Sequence, residues 1–249
     1  MQKIIDLISI ETKRSKEKVI KWLRGNSFNV LFIDLPINWQ TLLDNVMRGI
    51  DLNYVIENMK SKDIIKEPYD THTLKVYQPI FKVLPFLHKA GVKVFCYRDE
   101  LSYKASYELI NEILIMTLHA RLGKINPEKW KELIKEDVRL SLESCKKEGE
   151  YIITRIDKVN VCLDASEDLL KYLKNAGCEI ERVELDQACK PLDILRRKIR
   201  DEILYGIKVS NEEVIKLVED HVKFTELLLI NDFDNAYEIW RKLNKLSTL

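Results

Sequence analysis

The strongest constraint on the fold is the repeated alternation of short apolar segments with helical segments. Residues 3–10 and 28–35 are rich in β-branched side chains and are separated by a segment with apolar residues at helical spacing. Residues 92–97, 151–156 and 179–185 continue this pattern. Strands that are joined by helices form parallel sheets, which are covered on both faces. We therefore predict an α/β fold with a mostly parallel central sheet of about five strands and helices on both faces.

Long helical segments interrupt and extend the alternation. Residues 37–66 and 101–149 have helical periodicity, and the pattern after the fifth apolar segment is also helical. A chain of 249 residues is long enough to bury a sizeable core. The sequence predicts a core over residues 1–186 that contains both helical insertions. We expect a C-terminal helical region, residues 187–249, to pack on that core.

Composition excludes several classes of protein. Lys and Arg number 41 and Asp and Glu number 40, with the two signs interleaved, so no basic surface favours nucleic acid. No apolar run approaches 18 residues, and we expect no membrane segment. Five cysteines form no C-x-x-C pair, which favours a reducing compartment and a cytoplasmic location. The abundance of Lys, Glu and Ile is typical of thermophile proteins.

The common catalytic and nucleotide-binding motifs are absent from the sequence. It contains no P-loop, no G-x-G-x-x-G, no G-x-S-x-G and no H-E-x-x-H. A candidate site therefore has to come from the expected topology, because ligands of an open α/β sheet bind beyond the carboxyl ends of its strands. On the predicted strands, that edge carries seven polar residues: Glu11, Thr12, Asp34, Arg98, Asp99, Arg155 and Asp157.

These residue types allow three interpretations. Carboxylate oxygens are the ligands that Mg²⁺ prefers, so Glu11, Asp34 and Asp157 can hold a divalent cation. The guanidinium groups of Arg98 and Arg155 can clamp a carboxylate or a phosphate. In the third interpretation, the charges pair with one another as a structural network.

The first two predicted strands and the helix between them read Leu7-Ile8-Ser9-Ile10-Glu11-Thr12, then Ser15, then Phe32-Ile33-Asp34-Leu35-Pro36. This order, with two later stretches, resembles the TraB family and its wider relatives, the Tiki, erythromycin-esterase and ChaN-like proteins. Members of this family open with a strand, a G-x-x-H motif, a Ser-led helix and a second strand that ends in Glu-Leu. Ser9 and Thr12 stand at the Gly and His positions, and Asp34 stands at the Glu position.

The other two stretches follow the same order along the chain. Cys96-Tyr97-Arg98-Asp99 resembles a family strand that ends in Asp-Arg-Asp. Residues 151–177 resemble the strand, second G-x-x-H motif and helix of the family, but Thr154-Arg155-Ile156-Asp157 contains neither Gly nor His. Both histidine motifs are therefore absent from a pattern that covers about residues 3–186.

The resemblance implies a fold of metal-dependent peptidases and esterase-like hydrolases whose histidines bind a metal or move protons. Threonine cannot replace imidazole in either task. Our leading hypothesis is a TraB-like protein that has lost hydrolase activity. We expect it to bind a small anionic ligand or a protein partner, without a cofactor, and we expect Glu11, Thr12, Arg98 and Arg155 to bind the ligand.

Two alternatives remain open. The first is a divergent hydrolase with Asp34, Arg98, Asp99 and Asp157 as catalytic residues, in which Glu11, Asp34 and Asp157 hold Mg²⁺ or Mn²⁺. The second is a helical assembly module that forms a homo-oligomer through residues 101–149 and the C-terminal helices.

Overall fold

The computed structural model describes residues 2–187 and 190–244. Its five strands are β1 (Lys3–Ile8), β2 (Val30–Pro36), β3 (Lys93–Arg98), β4 (Val159–Leu163) and β5 (Glu179–Glu184). Its helices are α1 (Lys13–Gly25), α2 (Gln40–Met47), α3 (Leu52–Ser61), α4 (Tyr69–Lys89), α5 (Glu100–Arg121), α6 (Pro127–Ile153), α7 (Glu167–Asn175), α8 (Pro191–Tyr205), α9 (Asn211–Ile230) and α10 (Phe233–Leu243). A short 3-10 turn, Ile37–Trp39, joins β2 to α2.

The five strands form one parallel sheet in the order β3-β2-β4-β1-β5. β4 lies between β2 and β1, and Val161 is in register with both Ile5 and Leu31. The edge strand β5 reads Glu-Ile-Glu-Arg-Val-Glu and is mostly exposed, as charged edge strands often are. The predicted α/β fold with a five-stranded parallel sheet is confirmed.

Alternate residues of the strands face two separate hydrophobic clusters. Ile5, Leu31 and Ile33 face one cluster, which contains the apolar residues of α1 to α4. Ile4 and Phe32 face the other cluster, which contains apolar residues of α7 and the end of α6. This alternation follows from the two-residue period of a strand, and it shows that helices cover both faces of the sheet.

The predicted fourth strand is wrong. Residues 151–156 were expected to be extended, but α6 continues to Ile153 and the strand follows at Val159–Leu163. Ile152 is fully buried from its position on the helix. Two short apolar runs follow one another here, and both fit a helix or a strand by period alone. Residues 159–163 form the strand because they pair with β1 and β2, whereas Ile152 is buried as part of a helix.

The chain forms two compact units. Within the described residues, unit 1 comprises 2–103 and 143–187, and unit 2 comprises 104–142 and 190–244. Residues 104–142, which make up most of the helical insertion expected over 101–149, thus group with the C-terminal helices, and residues 143–149 group with the sheet. The reason is a shared core, in which Trp130 of α6 lies in one cluster with Leu195 of α8, Val214 and Val218 of α9, and further apolar residues of α5 and α6.

A capping box formed by Ser210 and Glu213 begins α9. The described cysteines Cys96, Cys145, Cys162 and Cys178 are buried free thiols, and Cys189 lies outside the described residues.

None of the helices in the described ranges is long and apolar enough to cross a membrane.

Candidate functional site at the carboxyl edge of the sheet

The carboxyl ends of four parallel strands bring polar side chains to one edge of unit 1. Ser9 follows β1, and Asp34 lies near the end of β2. Arg98 is the last residue of β3, and Asp164 directly follows β4. Parallel strands end on the same side of the sheet, so these four residues lie along a common edge, where ligands of such sheets bind. The edge divides into two halves of different geometry.

The half formed at β1 and β4 contains Ser9, Lys16 and Asp164, and we call it the closed half. Lys16 belongs to α1, yet only 1% of its side chain is exposed. Its Nζ lies 2.5 Å from Asp164 Oδ2 and 2.7 Å from Ser9 Oγ, and 4.6 Å from the centroid of the Tyr77 ring. The backbone N–H of Ser9 donates to Asp164 Oδ1 at 2.6 Å. The buried ammonium thus has a carboxylate, a hydroxyl and an aromatic face as partners.

Asp164 has an unusual backbone that suits this role. Its φ is +56°, in the left-handed region that Asp tolerates better than most residues. Its backbone N–H donates to the Leu7 carbonyl at 3.0 Å. The turn after β4 therefore folds back toward the end of β1, and the Asp164 carboxylate reaches Ser9 and Lys16.

The buried carboxylate of Asp6 also stabilises this turn. Asp6 of β1 is fully buried and accepts a hydrogen bond from the backbone N–H of Ala165 at 3.1 Å. Burial raises the pKa of Asp6 to about 6, although that hydrogen bond and the Arg182 guanidinium act in the opposite direction. Arg182 Nε lies 3.4 Å from Asp6 Oδ2. The connection between β4 and α7 is thus held from β1 at two successive positions.

The half formed at β2 and β3 contains Asp34 and Arg98, and we call it the open half. Arg98 Nη1 lies 3.6 Å from Asp34 Oδ2, which is longer than a hydrogen bond. The two side chains are 39% and 26% exposed, respectively. Partial burial raises the pKa of Asp34, and the Arg98 guanidinium opposes that shift. The Arg98 guanidinium also lies 5.4 Å from the centroid of the Tyr103 ring.

Glu148 adds a buried carboxyl group close to the open half. It lies in the part of α6 that belongs to unit 1, and it is 7% exposed. Burial raises its pKa to about 6, and the backbone N–H of Asp99, which donates to Glu148 Oε1 at 3.1 Å, counteracts the shift. The charge of Asp34 raises the pKa of Glu148 further and that of Arg98 lowers it. Two acids and one base thus influence one another at this end of the sheet.

The structure brings four of the predicted site residues to this edge in different roles. Asp34 and Arg98 form the open half. Glu11 lies near the same edge because it follows the carboxyl end of β1. Asp99 caps the start of α5, because its Oδ2 accepts from the backbone N–H of Ser102 at 2.9 Å. These assignments leave Asp34 and Arg98 as the predicted residues best placed to meet a ligand.

Thr12 is a capping residue. Its hydroxyl oxygen accepts a hydrogen bond from the Ser15 backbone N–H at 3.1 Å at the start of α1, and it is 4% exposed. This contact satisfies one of the N–H groups that a helix start leaves without an intrahelical partner. The structure thus gives Thr12 a structural role, and its ligand-binding role stays a prediction.

The predicted places of Arg155 and Asp157 at this edge are wrong. Both residues precede β4, and Asp157 Oδ2 lies 3.9 Å from Nζ of Lys93, the first residue of β3. They therefore lie at the amino ends of the strands. The Arg155 guanidinium stacks 3.6 Å from the centroid of the Tyr151 ring. The error follows directly from the misplaced fourth strand.

The proposed metal ligands are consequently divided between two ends of the sheet. Glu11 and Asp34 lie at the carboxyl edge and Asp157 lies at the amino edge. In residues 2–187 and 190–244, no group of three or more His, Cys, Asp or Glu side chains is arranged to hold a metal ion. The predicted set of Glu11, Asp34 and Asp157 does not form a common site.

Sequence reasoning missed the closed half and Glu148. Asp164 could have been found from the sequence, because it directly follows the apolar run Val159–Leu163. Assigning that run as the fourth strand would have predicted Asp164 at the carboxyl edge. Lys16 and Glu148 had no such signal. Lys16 lies in a run of charged residues that is typical of a solvated helix surface, and its burial depends on α4 and β4.

Comparisons with known proteins give no relative for this chain: no protein-family model, curated protein or solved structure matches it.

Proposed function

We propose that unit 1 is a TraB-like α/β unit of a cytoplasmic protein that binds a small anionic ligand at the open half, without histidine-dependent hydrolysis. The ligand class is a carboxylate or a phosphate. The observation that carries the proposal is the state of Arg98: a guanidinium at the ligand-binding edge of a parallel sheet that is 39% exposed and not hydrogen-bonded to its acidic neighbour Asp34.

Arg98 has the geometry that an anion receptor needs. A guanidinium group offers parallel N–H donors that match a carboxylate or a phosphate in a bidentate arrangement. At 3.6 Å, the Asp34 carboxylate keeps the guanidinium oriented without using its donors in close hydrogen bonds. Tyr103 limits the position of Arg98 from a second side, with its ring centroid 5.4 Å away. The donors are thus positioned in advance and accessible.

Asp34 gives the proposed site a pH dependence with a definite sign. An ionised Asp34 repels an anion at Arg98, and a protonated Asp34 does not. Because partial burial raises the pKa of Asp34, protonation begins at a higher pH than for an exposed aspartate. We expect anion affinity to increase as the pH falls through the range in which Asp34 takes up its proton.

Loss of hydrolysis is supported by the roles of the residues that follow β1. Thr12, which stands at the position of the first family histidine, is buried and caps α1. The hydroxyl of Ser9 lies within 2.9 Å of both Asp164 carboxylate oxygens and accepts from Lys16. Thr154-Arg155-Ile156-Asp157, the stretch that resembles the second family motif, also contains no histidine.

The test is calorimetric titration of the full chain with inorganic phosphate and with succinate, at constant ionic strength set by chloride. We expect saturable binding of at least one of the two anions, and loss of that binding in Arg98→Met. Arg139→Met is the matched control, because Arg139 is an exposed arginine of unit 2 with 62% of its side chain accessible. Equal binding by wild type and Arg98→Met would refute the proposal, as would the absence of binding of both anions.

A second candidate is a hydrolase that uses carboxylates at the same edge. It is favoured by one observation, namely that Asp34 and Glu148 both have raised pKa values and both interact with Arg98. Carboxyl groups with raised pKa values can serve as a general acid and a general base. Turnover of p-nitrophenyl acetate that is lost in both Asp34→Asn and Glu148→Gln would select this candidate over the binding protein. Turnover that persists in either variant would exclude it.

A further inference from the structure

Helix α5 has apolar side chains on two opposite sides within unit 2. Leu109, Thr117 and Ala120 are less than 9% exposed, and Ala120 lies in the hydrophobic cluster of this unit. A surface helix normally has one apolar stripe, which faces its own core. The other side of α5 carries a second stripe, composed of Ile110, Leu114, Ile115, Leu118 and the following Leu122.

The second stripe is strongly exposed. The five side chains are between 42% and 73% exposed. Ile110, Leu114, Leu118 and Leu122 follow one another at four-residue spacing, and Ile115 lies beside them, so they form one continuous row. Together they expose roughly 500 Å² of apolar surface, which is near the upper end for a monomer and more than half of the ~800 Å² that each partner contributes to a stable interface.

The charges beside the stripe specify an orientation. Toward its N-terminal end lie the exposed acidic residues Glu108 and Glu112 and one exposed basic residue, Lys104. At the other end, Arg121 is the last residue of α5 and Lys124 follows the turn at Gly123; both are exposed and basic. The net charge is thus negative at the first end and positive at the second. An antiparallel copy of the same helix would therefore meet opposite charges at both ends. A parallel copy would place the acidic residues against each other.

We propose that the exposed stripe of α5 binds a second copy of this chain, in an antiparallel two-fold arrangement centred near Met116. A two-fold interface uses the same surface on both subunits. About that centre, Ile110 of one copy faces Leu122 of the other, and Leu114 faces Leu118. Glu108 then lies at the end where the partner copy carries Arg121 and Lys124. The same two-fold rotation therefore places apolar residues against apolar residues and the acidic end of one helix against the basic end of the other.

The first test measures the mass of the full chain by sedimentation equilibrium. We expect a reversible dimer of the 29.4 kDa chain, and we expect the double variant Leu114→Glu/Leu118→Glu to be monomeric. Leu229→Glu is the matched control, because Leu229 is an equally exposed leucine of unit 2, at 67%, outside the stripe. It should leave the dimer unchanged. A wild-type monomer, or a dimer that survives the double substitution, would overturn the proposal.

The second test concerns the orientation. Glu108→Lys places like charges at both ends of an antiparallel pair and should weaken self-association on the order of tenfold. Adding Lys124→Glu to the same chain reverses both partners and should restore wild-type association. If the second substitution fails to restore the dimer, the antiparallel arrangement is wrong. Both positions are exposed, so unchanged thermal unfolding of the variants can be verified separately.

Discussion

The closed and open halves of the carboxyl edge contain similar groups in different states. Each half pairs one aspartate from the carboxyl end of a strand with one basic residue, which is Lys16 of α1 in the closed half and Arg98 of β3 in the open half. In the closed half the charged atoms are 2.5 Å apart and the lysine is 1% exposed. In the open half they are 3.6 Å apart, and the side chains are 26% and 39% exposed. Residue type at a strand end therefore does not separate structural from functional charges, whereas distance and exposure do.

The two ion pairs differ in the free energy that it costs to break them. Breaking a buried ion pair leaves an uncompensated charge in the interior, which is costly, so such pairs are retained for structure. An exposed pair contributes about 0–1 kcal/mol and can be rearranged by a ligand at little cost. We therefore expect removal of the aspartate to cost much more stability in the closed half than in the open half.

The largest effect is expected for Asp164→Asn in the closed half. Asparagine is close to aspartate in size and also tolerates a left-handed backbone, so the main change is that buried Lys16 loses its counter-charge. The free energy of unfolding, measured by urea denaturation at pH 7, should fall by about 3–5 kcal/mol.

The double variant Lys16→Met/Asp164→Asn is the control for that loss. It removes the buried charge as well as its partner and should recover more than half of the lost stability. A loss below about 1 kcal/mol in the single variant would mean that water reaches Lys16, and the distinction between the two halves would fail.

A smaller effect of opposite sign is expected for Glu148→Gln. The folded-state pKa of Glu148 is about 6, above its ordinary value of 4.5, so the folded protein holds this proton more tightly than the unfolded chain does. Its contribution to stability is complete below pH 4.5 and is lost as the pH rises through 6. At pH 8 the neutral glutamine should therefore stabilise the fold by about 2 kcal/mol relative to wild type.

Urea denaturation at pH 4 and pH 8 measures this difference. At pH 4 the two proteins should have nearly equal stability, because Glu148 is then protonated in both states. Glu143→Gln, at an exposed position of the same helix, is the control and should change stability by less than about 0.5 kcal/mol at either pH. Equal stability of wild type and Glu148→Gln at pH 8 would show that Glu148 is not buried as described.

The smallest change in stability is expected for Asp34→Asn in the open half. The free energy of unfolding should change by less than about 1 kcal/mol, because the pair is partly exposed and not hydrogen-bonded. Anion binding should become tighter, because a negative charge beside Arg98 has been removed. Urea denaturation and phosphate titration of the same sample measure both quantities. A decrease of more than about 2 kcal/mol in the free energy of unfolding would show that the open half also has a structural role.

The sequence was sufficient for the fold class, for four of the five strands and for part of the candidate site. Strand periodicity placed β1, β2, β3 and β5, and the topology rule then brought Asp34 and Arg98 to one edge. The fourth strand failed because residues 151–156 and 159–163 are both short and apolar. That single error moved Arg155 and Asp157 to the wrong end of the sheet and hid Asp164.

The remaining features depend on contacts between residues that are far apart in sequence. The burial of Lys16 depends on Asp164, which is 148 residues away. The grouping of residues 104–142 with the C-terminal helices depends on apolar side chains whose partners follow more than 50 residues later, such as Trp130 and Val214. Local patterns describe elements, and they do not specify which distant surface covers a given side chain.

The position of β4 in the sheet has a consequence for how the chain is made. β1 is the first strand to be synthesised, yet its two neighbours are β4 and β5, so it has no strand to pair with until residue 159 has emerged. β2 and β3 can pair early, but one edge of β2 also waits for β4. Pairing over such sequence separations is slow, and unpaired edges expose nascent chains to aggregation. This protein should therefore depend on chaperones during translation more than an α/β chain whose neighbouring strands are consecutive.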